Sequence, residues 1–204
     1  MKCGEEYWLE APLADAFRAI GGVGEGCAVD IGANVGTWTN SLAERFECVI
    51  AIEPDQRAAD KIPADDWENV EVIRKAVASH CNGVTFHFRE ESVYNSILDD
   101  HPIGGSGGKD VPCVDERKID TITLDEIVRQ RAIDFVKIDI EGGEVEALKG
   151  ATRASDWAET VFLVECHDTY DQVAAELGRL GHEVERIPHP FGAHPGHCWA
   201  ISHA

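Results

Sequence analysis

The chain has 204 residues, 44% hydrophobic and 27% charged, a composition that supports one globular domain with its own core and excludes intrinsic disorder. Lys and Arg total 18 against 38 Asp and Glu, a formal charge of −20. A field of that sign repels phosphate backbones and anionic lipid, so no nucleic acid and no membrane is expected as a partner, and a small neutral or cationic ligand is favoured. The 7 cysteines are scattered and form no C-x-x-C pair. With no apolar h-region at the N-terminus and no run approaching the roughly 20 apolar residues of a membrane span, this predicts a reducing, cytoplasmic setting.

Residues 1–26 carry no recognisable motif and are assigned as an N-terminal helical extension. Cys27-Ala28-Val29-Asp30-Ile31 is a short apolar run ending at Gly32, the pattern of a buried strand, and Val35, Trp38, Leu42 and Phe46 follow at helical spacing. Cys48 to Ile52 predicts a second strand, Pro54 to Ile62 a polar helix with proline in its first turn, and Val70 to Val77 a third strand. Residues 83–119 break the rhythm: Val84, Phe86 and Phe88 alternate with polar residues, a glycine-rich patch occupies 104–108, and Val111 to Ile119 reads as strand. This is a β-rich insertion where a helix would be expected. Thr123 and Glu126 have capping-box spacing. Asp134 to Ile140 and Thr160 to Cys166 are strands four and five, separated by a helix from Glu144 to Lys149. Val173, Leu177 and Leu180 mark a last helix, and Glu183–Ile187 and Cys198–Ser202 two tail strands. Alternating strands and helices predict a parallel α/β sheet covered on both faces, within a single domain spanning 1–204.

Val29-Asp30-Ile31-Gly32-Ala33-Asn34-Val35-Gly36-Thr37 follows a strand and opens a helix. Gly32 and Gly36 permit a tight turn and close approach of a ligand to backbone. The pattern is not G-x-G-x-x-G, and Asp30 two residues before the first glycine opposes a pyrophosphate and suits an ammonium. Glu53 closes the second strand, where an acid can accept both hydroxyls of a ribose. An acid by the loop, a glycine turn and a ribose acid together suit S-adenosylmethionine, with Asp30 expected at its amino-acid end and Glu53 at its ribose.

The segments VDIGANVGTWT (29–39), AIEP (51–54), TLDEI (123–127), DFVKIDIEGGEVEALKGA (134–151) and VECH (164–167), in that order, resemble the FkbM family of S-adenosylmethionine-dependent methyltransferases. The resemblance implies a class I methyltransferase fold: a Rossmann-like three-layer sandwich with a seven-stranded, mostly parallel sheet whose last strand is antiparallel. It also implies cofactor contacts at Gly32, Ala33, Asn34, Gly36, Thr37, Pro54, Ala76, Asn95, Ser96 and Asp139, beside Asp30 and Glu53.

Side chains alternate along a strand, which places Lys137, Asp139 and Glu141 on one face of strand four, and Glu165 and His167 on one face of strand five. Ionisable residues in central strands need a reason, and both sets lie at the C-terminal edge where ligands bind in open α/β sheets. Asp139, Glu141, Glu165 and His167 are therefore the candidate catalytic residues, as a carboxylate or imidazole base for an acceptor hydroxyl. The carboxylates offer a second route, Mg²⁺, and His189, His194, His197 and Cys198 are dense enough to raise a metal, though without standard ligand spacing; the sequence assigns none. Lys137 reads equally as a buried ion pair with Asp139 or another acid.

The leading reading is an O-methyltransferase acting on a hydroxylated small molecule, a sugar or a secondary metabolite, with residues 90–110 and 188–197 flanking the acceptor pocket. The alternatives are an NAD-dependent oxidoreductase, whose glycine fingerprint fails at Asn34, and a non-catalytic S-adenosylmethionine-binding protein. The sequence carries no signal for oligomeric state.

Overall fold

A computed structural model describes residues 26–98, 112–129, 131–189 and 197–203. In chain order, β1 (Cys27–Ile31) leads through α1 (Thr37–Ala43) to β2 (Cys48–Ile52), and α2 (Gln56–Ala59) precedes β3 (Val70–Ile73). Then come β4 (Ala76–Val77), β5 (Val84–Arg89), β6 (Cys113–Ile119) and β7 (Thr121–Ile122). The remainder is α3 (Leu124–Val128), β8 (Phe135–Ile138), α4 (Glu144–Leu148), β9 (Val161–His167), α5 (Tyr170–Arg179), β10 (Glu183–Pro188) and β11 (His197–His203).

Seven strands form the main sheet in the order β10-β11-β9-β8-β1-β2-β3. β1 pairs in parallel with β2 and β8, and the parallel run extends to β3 on one side and β9 on the other. β11 lies antiparallel between β9 and β10. This is the Rossmann-like class I methyltransferase sheet, with its last strand reversed. The chain first builds outward from β1 and then crosses to its other side, so a crevice opens beyond the carboxyl ends of β1 and β8.

Period-two alternation divides the core. Val29, Ile31, Val136, Ile138, Phe162 and Val164 pack on one face with Leu124, Leu148, Trp157 and Leu177. Ala28, Phe135 and Leu163 face the other way, against Leu42 and Phe46 at and beyond the end of α1. Complete burial of each such aliphatic or aromatic side chain contributes about 1.5–3 kcal/mol, which is why strands this short hold their register. α3 opens with the expected capping box: the Thr123 hydroxyl accepts from the Glu126 amide and the Glu126 carboxylate accepts from the Thr123 amide. None of the described helices is long and apolar enough to cross a membrane.

Three expected elements differ. The helix expected over Pro54 to Ile62 is only α2, capped by Asp55, whose side chain accepts from the Arg57 amide at 2.9 Å. Pro63 disfavours helical geometry at Ile62, and a 3-10 turn at Ala64–Asp66 follows. The third strand stops at Ile73, and Ala76–Val77 pairs with β7 in a separate two-stranded parallel sheet. Strand four ends at Ile138 rather than Ile140. The β-rich insertion contains the antiparallel ribbon of β5 and β6. Residues 1–25 of the N-terminal extension, the glycine patch at 104–108 and His194 lie outside the described residues.

Candidate active site

Backbone geometry at the end of β1 starts the site. Gly32 has φ +76°, and a Cβ there would lie 1.9 Å from the Asp139 carbonyl oxygen. Only glycine lets the turns after β1 and β8 touch. The Gly32 and Ala33 amides both donate to the Ile52 carbonyl, at 3.0 and 3.1 Å, tying the loop to the end of β2. Asn34, also left-handed at φ +48°, donates its amide to Glu53 Oε2 at 2.9 Å and accepts at Oδ1 from the Ser92 hydroxyl at 2.9 Å.

Glu53 accepts from the Asp55 amide at 2.8 Å through Oε1. Burial pushes it up to about 7, against the opposing pull of those two amide hydrogen bonds. Asn95 accepts from the Arg89 amide at 2.6 Å and donates to Asp55 Oδ2 at 2.9 Å, fastening the insertion over the end of β2. Gly32, Asn34, Glu53, Ser92 and Asn95 wall a cleft of about 120 Å³ that also takes in Pro54, Phe86, Val93, Asp139, Ile140 and Glu141. Beside it lies a larger cavity of about 540 Å³, bounded by Ala33, Thr37, Trp38, Lys137, Glu165, His189 and Trp199. Gly32, Asn34, Val93 and Asp139 border both.

Lys137 lies beneath the junction, 1% exposed. Its ammonium is 3.2 Å from Asp30 Oδ1 and 3.7 Å from Asp139 Oδ2, and donates to the Gly32 carbonyl at 3.0 Å. Burial alone would lower its pKa, but the charges of Asp30, Asp139 and Glu165 outweigh that and raise it, so Lys137 is a fixed cation.

At the end of β9 the acids gather. Glu144, at the start of α4 and wholly buried, has Oε1 3.0 Å from His167 Nδ1, and accepts from the Gly142 amide at 2.8 Å and the Thr169 hydroxyl at 3.1 Å. His167 Nε2 faces Glu141 Oε1 at 3.6 Å. Burial opposes a charge on this ring, yet the Glu144 hydrogen bond and the charges of Glu141, Glu144 and Asp139 prevail and push His167 up to about 10. Glu141, at φ +52°, is pushed up to about 8 by burial, with the His167 charge opposing and the neighbouring acids reinforcing. Burial, then the Asp139 charge, raises Glu165. Its Oε1 meets His197 Nε2 in a close hydrogen bond and His189 Nε2 at 3.4 Å. Burial and the nearby His197 hold His189 down at about 4.

The structure thus gathers Gly32, Ala33, Asn34, Thr37, Glu53, Pro54, Asn95, Asp139, Glu141 and Glu165 around two adjoining clefts. Five expected residues lie outside that lining. Asp30 is wholly buried, accepting from the Thr39 hydroxyl at 2.7 Å and facing Lys137, so it holds that cation in place. Ala76 is buried in β4 and Gly36 caps α1. Ser96 donates its hydroxyl to the Glu141 carbonyl at 2.7 Å, shaping the loop after β8. Carboxylates facing both nitrogens push His167 up to about 10, so the ring acts as a base or a metal ligand only after giving up a proton. Cys198 projects to the face of β11 opposite Trp199, joining the other core cluster with Cys166, so it is not grouped with the histidines. Glu144 was not legible: an acid at a helix start reads as a partner for the helix dipole. Neither was Ser92, in an insertion with no motif of its own.

The donor set fits S-adenosylmethionine. Among the described residues the smaller cleft has an acid for ribose hydroxyls, apolar Phe86, Val93 and Ile140 for a purine, and no basic side chain to meet a phosphate. Fold and site together define the class of S-adenosylmethionine-dependent methyltransferases. Within it, the chain belongs to the methyltransferase FkbM domain family, whose model matches residues 30–187. It is 28% identical over 148 residues to the hexuronic acid methyltransferase AglP of Haloferax volcanii, covering 70% of this chain and 56% of the relative, so it spans little more than half that protein's length. Among solved structures it is similar to the methyltransferase FkbM of Methylobacillus flagellatus (TM-score 0.59, 20% identity, 88% of this chain and 44% of that one). A Streptococcus mutans protein in complex with SAH shares the fold at TM-score 0.53 and 12% identity, covering 94% of this chain and 97% of that one.

Proposed function

We propose that this chain transfers a methyl group from S-adenosylmethionine to an oxygen of a sugar or related hydroxylated small molecule, with hexuronic acids the first acceptors to test. The observation that carries this reading is the position of Asp139, which borders both the cleft suited to the cofactor and the larger cavity. When bound, S-adenosylmethionine supplies an electrophilic methyl group. Glu53 and Asn34 hold the ribose side, and the backbone from Gly32 to Thr37 supports the rest. Trp38 and Trp199 offer apolar walls to a sugar ring in the larger cavity, 5.7 Å apart between ring centroids. Asp139, with 29% of its side chain exposed, takes the proton of the acceptor hydroxyl as its oxygen attacks. Lys137 keeps that carboxylate in place from below. The AglP relative supports a sugar as acceptor class, and the carboxylate-lined cavity supports a proton-accepting role and favours neutral sugars, or hexuronic acids whose own carboxylate stays away from Asp139 and Glu165.

Methyl transfer from labelled S-adenosylmethionine to a panel of hexuronic acids and neutral sugars tests this. Asp139→Asn is expected to lower kcat by roughly 10²–10⁴-fold while affinity for S-adenosylhomocysteine stays within about threefold. Unchanged turnover in this variant removes Asp139 from the chemistry, and failure of every oxygen acceptor alongside transfer to an amine overturns the oxygen assignment.

A further inference from the structure

The histidines and acids behind the larger cavity form a second constellation. Ligand-capable atoms of Glu165, His167 and His197 lie within 4.8 Å of one another. They come from adjacent strands in fixed register: His197 is paired with His167, and Trp199 with Glu165, so the three side chains project from one face of β9 and β11. The imidazoles of His167 and His197 stack at 5.1 Å between centroids. His189 brings its Nε2 to the same oxygen of Glu165 that His197 reaches.

Two features favour a cation over hydrogen bonding alone. The first is the buried Glu144 carboxylate on His167 Nδ1, which leaves Nε2 as the nitrogen for a ligand, with Glu141 Oε1 3.6 Å from it. A carboxylate on the far nitrogen is how proteins fix the tautomer and direction of a metal-ligating histidine. The second is charge: Glu141 and Glu144 face His167, with Asp139 nearby, and Glu165 faces His189 and His197, so four carboxylates converge on three imidazoles while Lys137 is shared with Asp30. Mixed imidazole and carboxylate donors select first-row transition metals and zinc; magnesium prefers oxygen alone.

We infer that Glu165, His167 and His197 bind one divalent transition-metal cation, with Glu144 as a positioning residue and His189 completing the wall. The binding stands on its own geometry; its use in catalysis rests on the methyl-transfer reading. Glu165 borders the larger cavity, so an acceptor hydroxyl can approach the cation, which favours its ionised form while Asp139 takes the proton.

Metal-stripped full chain is titrated with Co²⁺, Mn²⁺, Zn²⁺ and Mg²⁺ by calorimetry, with Co²⁺ also followed by visible absorption. One transition-metal site per chain is expected. Its affinity should fall at least about 10-fold in His197→Ala and roughly 10–100-fold in Glu144→Gln, whose carboxamide keeps shape but loses charge. His87→Ala, in a separate cluster with Cys113 and Glu116, should leave it unchanged. Absence of stoichiometric Co²⁺ binding in the wild-type chain, binding of Mg²⁺ alone, or affinity unchanged in His197→Ala overturns the inference. Titration of the same samples with S-adenosylhomocysteine separates the two readings: cofactor binding without metal rejects only the metal, and metal binding without cofactor rejects only methyl transfer.

Discussion

Glu53 shows how far one side chain's environment sets its use. It is 6% exposed, and burial pushes its pKa up to about 7 although two amides donate to it. A carboxylate raised in this way is protonated in the folded protein below about pH 7, and a neutral acid accepts a ribose hydroxyl less strongly than a charged one. Affinity for S-adenosylhomocysteine is therefore expected to fall as pH drops from about 7 to about 5.5. Glu53→Gln should weaken binding by about 1–3 kcal/mol at pH 8 and flatten that dependence. Calorimetric titration across the interval checks both, and an unaltered slope in the variant would reject the ribose assignment. The position of Glu53 was legible because a strand followed by Pro54 ends at a known edge of the sheet. Asp30 has the same chemistry two residues before Gly32, yet the sequence alone could not show that Lys137, more than 100 residues later, lies beneath it.

The closeness of the ends of β1 and β8 decides whether the clefts exist. Asp139 donates its amide to the Ile31 carbonyl at 3.1 Å, the last link before the chain turns through Glu141 and Gly142, both at positive φ. That turn explains why strand four stops before Asp139, which faces the clefts through loop geometry and not through strand alternation. Gly32→Ala must accept a left-handed backbone, about 1–2 kcal/mol, and displace Asp139 backbone, about 1–3 kcal/mol, for a loss of roughly 2–5 kcal/mol. Denaturant unfolding measures that loss, and a variant within about 0.5 kcal/mol of wild type would show that the two loops are not in contact.

Charge acts on the molecule as a whole. A net −20 on 204 residues makes the folded state repel itself, and part of that repulsion is concentrated where Asp139, Glu141, Glu144 and Glu165 converge. Added salt screens the solvent-exposed part of this repulsion, over about 10 Å at 0.1 M and less at higher concentration, and reaches the buried cluster far less. The thermal midpoint at about pH 8 is expected to rise between about 20 and 500 mM sodium chloride. Scanning calorimetry would show the trend, and a midpoint that falls with salt would mean that favourable ion pairs such as Arg57 with Asp55 outweigh the repulsion.

Local patterning by itself determined the order of strands and helices, the Gly32 turn, the capping box at Thr123 and the place of Glu53 at a strand end, because each depends on short-range backbone preference or on periodicity. The ordered segments from Val29 to His167 were enough to point to the methyltransferase class. Only the tertiary structure decided which acids meet. It buried Asp30 against Lys137, set Glu144 behind His167, and brought His197 across from β11 to Glu165. These contacts join residues 23 to 107 positions apart in sequence, and their geometry follows from strand order and register. Whether His167 is neutral or charged follows in turn from the electrostatic field those contacts create.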